Sequence, residues 1–427
     1  DFVPITLAKS VDAVVAILAV LKVGAAYVPL SQRFPEQFTR SILDDIQAKV
    51  CVGEVAAPLT VLQPPRQATS THLPKMSSAG AENPIAWVLY TSGSTGKPKG
   101  VLGTHSACLA RCDALLKHQP LVANDVCVAY TALTVVDSFW EIFGPLSVGA
   151  PVLVLAEPQA LDFMGQVQLL QQHSVTRICL VPSMLRVFID NCSQLTELLP
   201  KLRTWIVSGE PLDRKLVRQF YASCPDATLF NQYGLTESCA DATSYNTRDL
   251  INDPGDGMVP VGQVFDHSSL HIVNPDLEEV APGEEGQVCL GGACVAAGYL
   301  NAPQASAERF RHLTNLSDGP VLLTGDLGRI DEQGQLLVSG RMDRQVKVRG
   351  FRVSLDQIED TLNSLPDVAQ SLVVTQTEKG RLQVVAYVVA AQPGLDIEQL
   401  IRALESTLPD YMRQEGFVLL DRMPTTH

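Results

Sequence analysis

No apolar run long enough to cross a membrane occurs in these 427 residues: the most apolar region, 11–30, is broken by Asp12 and Lys22. No basic stretch followed by an apolar one suggests a signal peptide. Positive charge is scarce, with 32 Lys and Arg against 46 Asp and Glu and a formal net charge of −14. That balance disfavours nonspecific binding to nucleic acid or to an anionic membrane, so an anionic ligand must be held by local geometry. The ten cysteines lack the dense regular spacing of a disulfide scaffold, which points to a reducing, cytoplasmic setting. No internal repeat is evident, and a composition of 46% hydrophobic and 18% charged residues excludes disordered, collagen-like and coiled-coil classes. At this length more than one hydrophobic core is expected. The chain opens without Met in the middle of a helix-then-strand pattern, so residues are expected to precede it.

What is present reads as α/β. A helix over 13–21 with a glycine stop at Gly24 leads into a strand over 26–30. Further apolar runs at 85–90, 151–155, 177–181, 204–207 and 227–230 alternate with helical stretches, the pattern of buried, largely parallel strands. In such sheets ligands gather at the carboxyl ends of the strands. Residues 53–84, rich in Pro, Ser, Ala and Thr, read as a long irregular connection. From Ser268 the texture becomes β-rich. After Asp343 a compact α+β unit is expected: strands at 345–348 and 351–353, a helix opened by Ser354 with Gln357 in a capping-box pattern, and a strand pair at 371–376 and 383–390. The lobes are therefore placed at 1–343, a large α/β lobe of two sheets with a β-rich part, and 344–427, a small α+β lobe.

The densest chemical signal is Thr91-Ser92-Gly93-Ser94-Thr95-Gly96-Lys97-Pro98-Lys99-Gly100. Backbone N–H groups freed by glycine, hydroxyls and two ammonium groups suit a polyphosphate. It is not a Walker A loop, because Thr91 stands where the first Gly belongs and Pro98 replaces the Ser/Thr after Gly-Lys. A proline there also argues against the loop running straight into a helix. Asn231-Gln232-Tyr233-Gly234-Leu235-Thr236-Glu237 offers an amide, an aromatic face, a hydroxyl and a carboxylate, groups that suit a base edge, a base plane and Mg²⁺. Asp326, at the end of an apolar strand, is an acceptor suited to ribose hydroxyls. His105, Cys108, Cys112 and His118 are metal-ligand types in a short span, but the spacing of the two cysteines is that of half-buried core thiols.

With Leu21 to Leu30, Gly298-Tyr299-Leu300-Asn301, Thr324-Gly325-Asp326 and Gly340-Arg341-Met342-Asp343-Arg344-Gln345-Val346-Lys347-Val348-Arg349-Gly350, these segments resemble the adenylate-forming enzymes, and within them the adenylation domains of nonribosomal peptide synthetases. The resemblance implies MgATP as co-substrate, an acyl-adenylate intermediate, and transfer to a phosphopantetheine thiol on a carrier protein beside neighbouring synthetase domains. It implies Asn231 and Tyr233 on adenine, Thr236 at the α-phosphate, Glu237 on Mg²⁺, Asp326 and Arg341 on the nucleotide, Asp343 as a hinge between lobes, and Lys347 facing the site in a second state. Ser354 stands where the family commonly has Glu, and Leu235 where it often has Pro. The family's adenylating lysine lies in a segment beyond His427.

In members that take α-amino acids an Asp precedes the Trp of a Trp-Glu pair by four residues. Here that position is Val136, and the acid is shifted to Asp137 before Trp140-Glu141. The corresponding pocket positions are Val136, Asp137, Trp140, Cys179, Ile206, Ser208, Gln232, Ala240 and Asp241, a set resembling the β-alanine pattern. An amine one carbon further from the carboxylate needs its acidic partners moved too, so Asp137 and Asp241 are the candidates. The competing expectations are a free-standing acyl- or aryl-CoA ligase and a non-catalytic nucleotide-binding fragment.

Overall fold

The computed structural model describes residues 1–63, 84–93, 98–156, 162–192, 194–253, 255–378, 381–392, 394–414 and 416–424. The helix Val11–Lys22 shows how local chemistry sets an element. Ser10 caps it by accepting from the Ala13 N–H, Asp12 complements the N-terminal dipole, and Gly24 leaves it at a φ of 77°. It buries Ala13, Val14, Ala16, Ile17 and Val20 against the strands Phe2–Ile5 and Ala26–Pro29, while Val11, Val15 and Leu18 stay exposed. This most apolar stretch of the chain is a surface helix.

A first, six-stranded sheet runs in the order Thr60–Leu62, Val50–Val52, Phe2–Ile5, Ala26–Pro29, Ile85–Thr91, Lys99–Thr104, parallel except for the last pair. The strand Thr60–Leu62 corrects the expectation of a wholly irregular connection over 53–84; most of the remainder of that stretch lies outside the described residues. A second, seven-stranded sheet has the order Gln263–Val264, Ala240–Asn246, Thr228–Leu235, Thr204–Val207, Arg177–Leu180, Cys127–Ala129, Val152–Val154. It is parallel from Thr228–Leu235 onward and antiparallel at its other edge. One hydrophobic core, with Trp87, Leu115, Trp140, Ile206 and Tyr299, joins the two sheets through the helices between them. A second core around Phe188, Trp205 and Phe220 fills the far side of the seven-stranded sheet.

Ser268–Val273, Gly286–Gly292, Phe310–His312, Pro320–Ile330 and Leu336–Arg341 build the β-rich third sheet, all antiparallel. The C-terminal region has its own core, from Val348 to Met412. It comprises the hairpin Gln345–Val348 with Phe351–Ser354, the helices Leu355–Asn363 and Ile397–Thr407, and a sheet of Val368–Glu378, Arg381–Ala390 and Gly416–Leu420. Ser354 accepts from the Gln357 N–H at 3.3 Å, the N-terminal cap expected from the sequence. The architecture is thus a large multi-sheet α/β region followed by a small α+β lobe. No helix among the described residues is long and apolar enough to cross a membrane.

Candidate active site

Thr91 pairs with Lys99 across the antiparallel strands Ile85–Thr91 and Lys99–Thr104, so the Gly/Ser/Thr-rich loop is the turn of a hairpin and leads into a strand, as Pro98 foretold. Thr91, Ser92, Gly93 and Lys99 flank that turn; Ser94, Thr95, Gly96 and Lys97 lie outside the described residues. Ser92 Oγ donates to the Arg352 carbonyl at 2.7 Å. The Lys99 ammonium sits 5.4 Å from the centre of the Tyr299 ring. Its pKa is lowered, first by burial and then by the charges of Arg309 and Arg352.

Asn231, Gln232 and Tyr233 are carried by the strand Thr228–Leu235, and Thr236 and Glu237 by the single turn of 3₁₀ helix that follows, Thr236–Ser238. The ladder to Ala240–Asn246 slips between Tyr233 and Gly234. Here glycine is obligatory, because a Cβ on Gly234 would lie 2.0 Å from the Ala240 carbonyl oxygen. Cys239 and Ala240 both take left-handed backbone, at φ of 51° and 86°, a conformation costing about 1–3 kcal/mol per non-glycine residue. The buried Ser238 hydroxyl holds this turn, accepting from the Leu235 N–H at 2.9 Å and lying 2.9 Å from the Ala240 carbonyl. The strained turn brings Thr236 and Asp241 to one cleft.

Glu237 is almost wholly buried, at 1% exposure. Its Oε1 accepts from Arg352 Nη1 at 2.8 Å and from the Tyr299 hydroxyl at 2.7 Å, while Oε2 has no hydrogen-bond partner. Burial alone would raise its pKa; the guanidinium groups of Arg352 and Arg309 and the Tyr299 hydrogen bond outweigh it and hold the carboxyl at about 2. An ionised carboxylate with an orphaned oxygen fits a hard cation. No group of three or more acidic, His or Cys ligands occurs among the described residues, so Mg²⁺ here would depend on Glu237 together with oxygens the protein does not supply.

Asp326 joins this network. Its Oδ2 accepts from the Tyr233 hydroxyl at 2.5 Å and its Oδ1 from Arg341 Nη1. Arg341 also forks onto Asp343, at 2.7 Å from Nε and 2.9 Å from Nη2. Asn231 Nδ2 donates to the Pro260 carbonyl at 2.9 Å. From the small lobe, the hairpin Gln345–Ser354 reaches the cleft. Lys347 Nζ donates to the Gly234 carbonyl at 3.4 Å, and the Gly350 N–H donates to Glu210 Oε1 at 3.1 Å. Gly350 has a φ of 81°, and a Cβ there would lie 2.6 Å from a Val181 methyl.

Beside the cleft, which encloses about 750 Å³, Asp137 opens the helix Asp137–Ser147 with Val136 before it. Trp140 Nε1 donates to Asp137 Oδ1 at 3.2 Å. Burial, with Asp241 adding, raises the Asp137 carboxyl to about 7 against the opposing hydrogen bond. Val136, Asp137, Ser208, Ala240 and Asp241 line the cleft. Four other positions assigned to the pocket from the sequence do not line it. Ile206 and Gln232 are buried in the wall, and Trp140 and Cys179 border a separate small cavity, because their strands and helix turn these side chains toward the inter-sheet core.

Two functional-looking side chains escaped the sequence reading. Arg352 was legible only as one of several basic residues near 344–352, yet it spans from Gln345 to Glu237. Arg111, in the helix His105–His118, is buried and donates to Asp241 Oδ2 at 3.2 Å and to Gln232 Oε1 at 3.1 Å. The nearby Cys108 and Cys112 are buried core thiols, Cys108 accepting from Trp87 Nε1 at 3.0 Å.

A Gly/Ser/Thr hairpin, an orphaned buried carboxylate and a small lobe reaching into one cleft define an AMP-forming adenylation ligase. The chain belongs to the AMP-binding enzyme family, whose pattern matches residues 1–300, with the AMP-binding enzyme C-terminal domain matching 357–427. Malpinin synthetase of Mortierella alpina is 32% identical over 451 residues, covering 99% of this chain and 6% of that protein. Tyrocidine synthase 2 of Brevibacillus parabrevis is 30% identical over 436 residues, covering 100% and 12%. Zwittermicin A synthase ZmaJ of Bacillus cereus is 32% identical over 438 residues, covering 99% and 82%. This chain therefore spans only a small part of the first two relatives. Among solved structures, an artificially fused adenylation and carrier di-domain of a nonribosomal peptide synthetase from Klebsiella oxytoca superimposes with a TM-score of 0.85 at 24% identity, covering 98% of this chain and 83% of that one. An adenylation domain from Vibrio cholerae in complex with glycyl-adenosine-5'-phosphate gives 0.84 at 23% identity, covering 99% and 86%. These structures share the fold.

Proposed function

We propose that this chain is an adenylation domain of a nonribosomal peptide synthetase that activates a small β-amino acid, β-alanine fitting best, and loads it on the phosphopantetheine thiol of a carrier protein. The observation that carries the substrate is Asp137: the acid lining the cleft stands one position after Val136, where α-amino acid pockets keep theirs. The relatives' names as peptide and natural-product synthetases support the wider assignment.

In the first half-reaction a substrate carboxylate oxygen attacks the α-phosphorus of ATP. A P–O bond forms, the bond to the bridging oxygen breaks, and pyrophosphate leaves with its electron pair. This chemistry needs positioning and charge neutralisation more than an enzyme nucleophile. Thr91 to Lys99 surround the polyphosphate, Thr236 meets the α-phosphate, Asn231 and Tyr233 flank adenine, and Asp326 with Arg341 serves the ribose. Mg²⁺ held at Glu237 supplies neutralisation of phosphate charge. In the second half-reaction the small lobe, residues 344–427, turns about Asp343 relative to residues 1–343, and Lys347 and Gly350 face the incoming thiol.

ATP–pyrophosphate exchange across a panel of acids tests the reading. Exchange is expected with β-alanine well above glycine, α-alanine, benzoate or fatty acids. Exchange confined to benzoates or fatty acids identifies a CoA-ligase-like enzyme and overturns the substrate assignment; ATP binding without exchange identifies a non-catalytic domain.

A further inference from the structure

We propose that Arg111 is a specificity-determining positioning residue that fixes Asp241 as a bound carboxylate behind the cleft wall and leaves Asp137 as the one uncompensated acceptor for a substrate ammonium group. The inference rests on the β-amino acid reading above and extends it to a residue outside the pocket positions.

Arg111 is 3% exposed, and its Nε and Nη1 have no hydrogen-bond partner. What holds the cation is Asp241 on one side and two aromatic faces, its guanidinium carbon lying 5.3 Å from the Trp140 ring centre and 4.9 Å from that of Phe265. A charge so deep persists only beside a counter-charge. Asp241 is correspondingly occupied at both oxygens, Oδ1 by the Ser208 hydroxyl and Oδ2 by Arg111. Asp137, in contrast, receives a single hydrogen bond, from the neutral Trp140 indole. Asp137 and Asp241 line the cleft while Arg111 does not, so the carboxylates stand between the buried cation and an incoming substrate.

The charge count follows. Two carboxylates against one guanidinium leave the inner pocket one positive charge short, and a single ammonium completes it. An amine-free acid leaves the deficit, and a second amine finds no partner. The other charged groups around Asp137 do not alter this count for the inner pocket. Glu141 faces Lys9, with which it interacts favourably. Lys347 comes from the small lobe's hairpin, is half-buried, and spends a hydrogen bond on the Gly234 carbonyl.

The test compares Arg111→Met, Arg111→Lys and the double variant Arg111→Met with Asp241→Asn, in exchange assays with β-alanine and its amine-free isostere 3-hydroxypropionate, with ATP affinity measured calorimetrically as a control for folding. Arg111→Met is expected to raise KM for β-alanine about tenfold or more, with kcat changed less and ATP affinity retained. Arg111→Lys is expected to lose less, and the double variant, which restores the count of one negative charge, to recover a large part of the lost affinity. The proposal is overturned if Arg111→Met leaves KM unchanged, or if the double variant is no better than the single one while both bind ATP. Should Arg111→Met fail to fold, the double variant must match or exceed Arg111→Lys in KM, and a double variant with no measurable preference for β-alanine over 3-hydroxypropionate overturns the proposal. A wild-type enzyme that exchanges with β-alanine while Arg111→Met is indifferent refutes the Arg111 role alone. A wild-type enzyme that exchanges only with amine-free acids refutes both readings.

Discussion

The two acidic regions of the cleft solve opposite problems. On the nucleotide side each carboxylate already has an arginine: Glu237 with Arg352, Asp326 and Asp343 with Arg341. On the substrate side Asp137 and Asp241 share one, and Asp137 is left raised toward neutrality. The balanced region binds its ligands by exchanging one partner for another, whereas the unbalanced one waits for a charge to arrive. Burial is common to both, so the partner count and not the depth makes the difference.

The comparison breaks most visibly at Asp137. Asp137→Ala is expected to reduce kcat/KM for β-alanine by at least about 100-fold, since a buried unpaired ammonium costs about 3–5 kcal/mol, while ATP affinity stays near wild type. Glu237→Gln attacks the balanced side. It strands Arg352 and weakens the hard-cation site, so an exchange rate lower by about 10- to 100-fold and a higher Mg²⁺ requirement are expected in a Mg²⁺ titration. Gly350→Ala strains the hairpin at its positive φ and against Val181, a cost of about 1–2 kcal/mol. Transfer to a carrier protein should slow about tenfold with pyrophosphate exchange within about twofold.

The smallest effect sharpens the contrast through pH. The Asp137 carboxyl, raised to about 7, keeps a proton that the unfolded chain has released by about pH 4, so its contribution makes stability fall as pH rises between those values. Glu237, lowered to about 2, contributes stability that is present above the ordinary Glu pKa and lost as pH falls toward 2. Asp137→Asn should therefore raise the Tm of the ligand-free protein by a few degrees at pH 8 and hardly at pH 4. Glu237→Gln should lower it at pH 7, with the gap closing in acid.

Local patterns were legible where local chemistry decides. The strand Thr204–Val207 has the limits expected from its apolar run, the Ser354 cap is where its motif put it, and Pro98 signalled a hairpin turn. Residues that act through distant partners were not. Arg111 lies 121 positions from Gln232 and 130 from Asp241, and Arg352 lies 115 from Glu237. The span around Arg111 drew notice for its His and Cys residues, while the arginine between them carried no local signature. Nor does any sequence rule announce that Cys239 and Ala240 adopt left-handed backbone; that follows from the bulge at Gly234 and the buried Ser238 hydroxyl. The wall positions Ile206 and Gln232 show the same limit, since the sheet and not the motif decides which way a strand residue points.

The Ser92 hydroxyl carries one proton, and here it is given to the main-chain carbonyl of Arg352. A phosphate group only accepts hydrogen bonds, so it needs that same proton. Arrival of a nucleotide at Ser92 and docking of the Arg352 strand are thus mutually exclusive claims on one hydrogen atom. Two events so coupled acquire a sequence in time: the strand must let go before the phosphate is held, and the phosphate must depart before the strand returns.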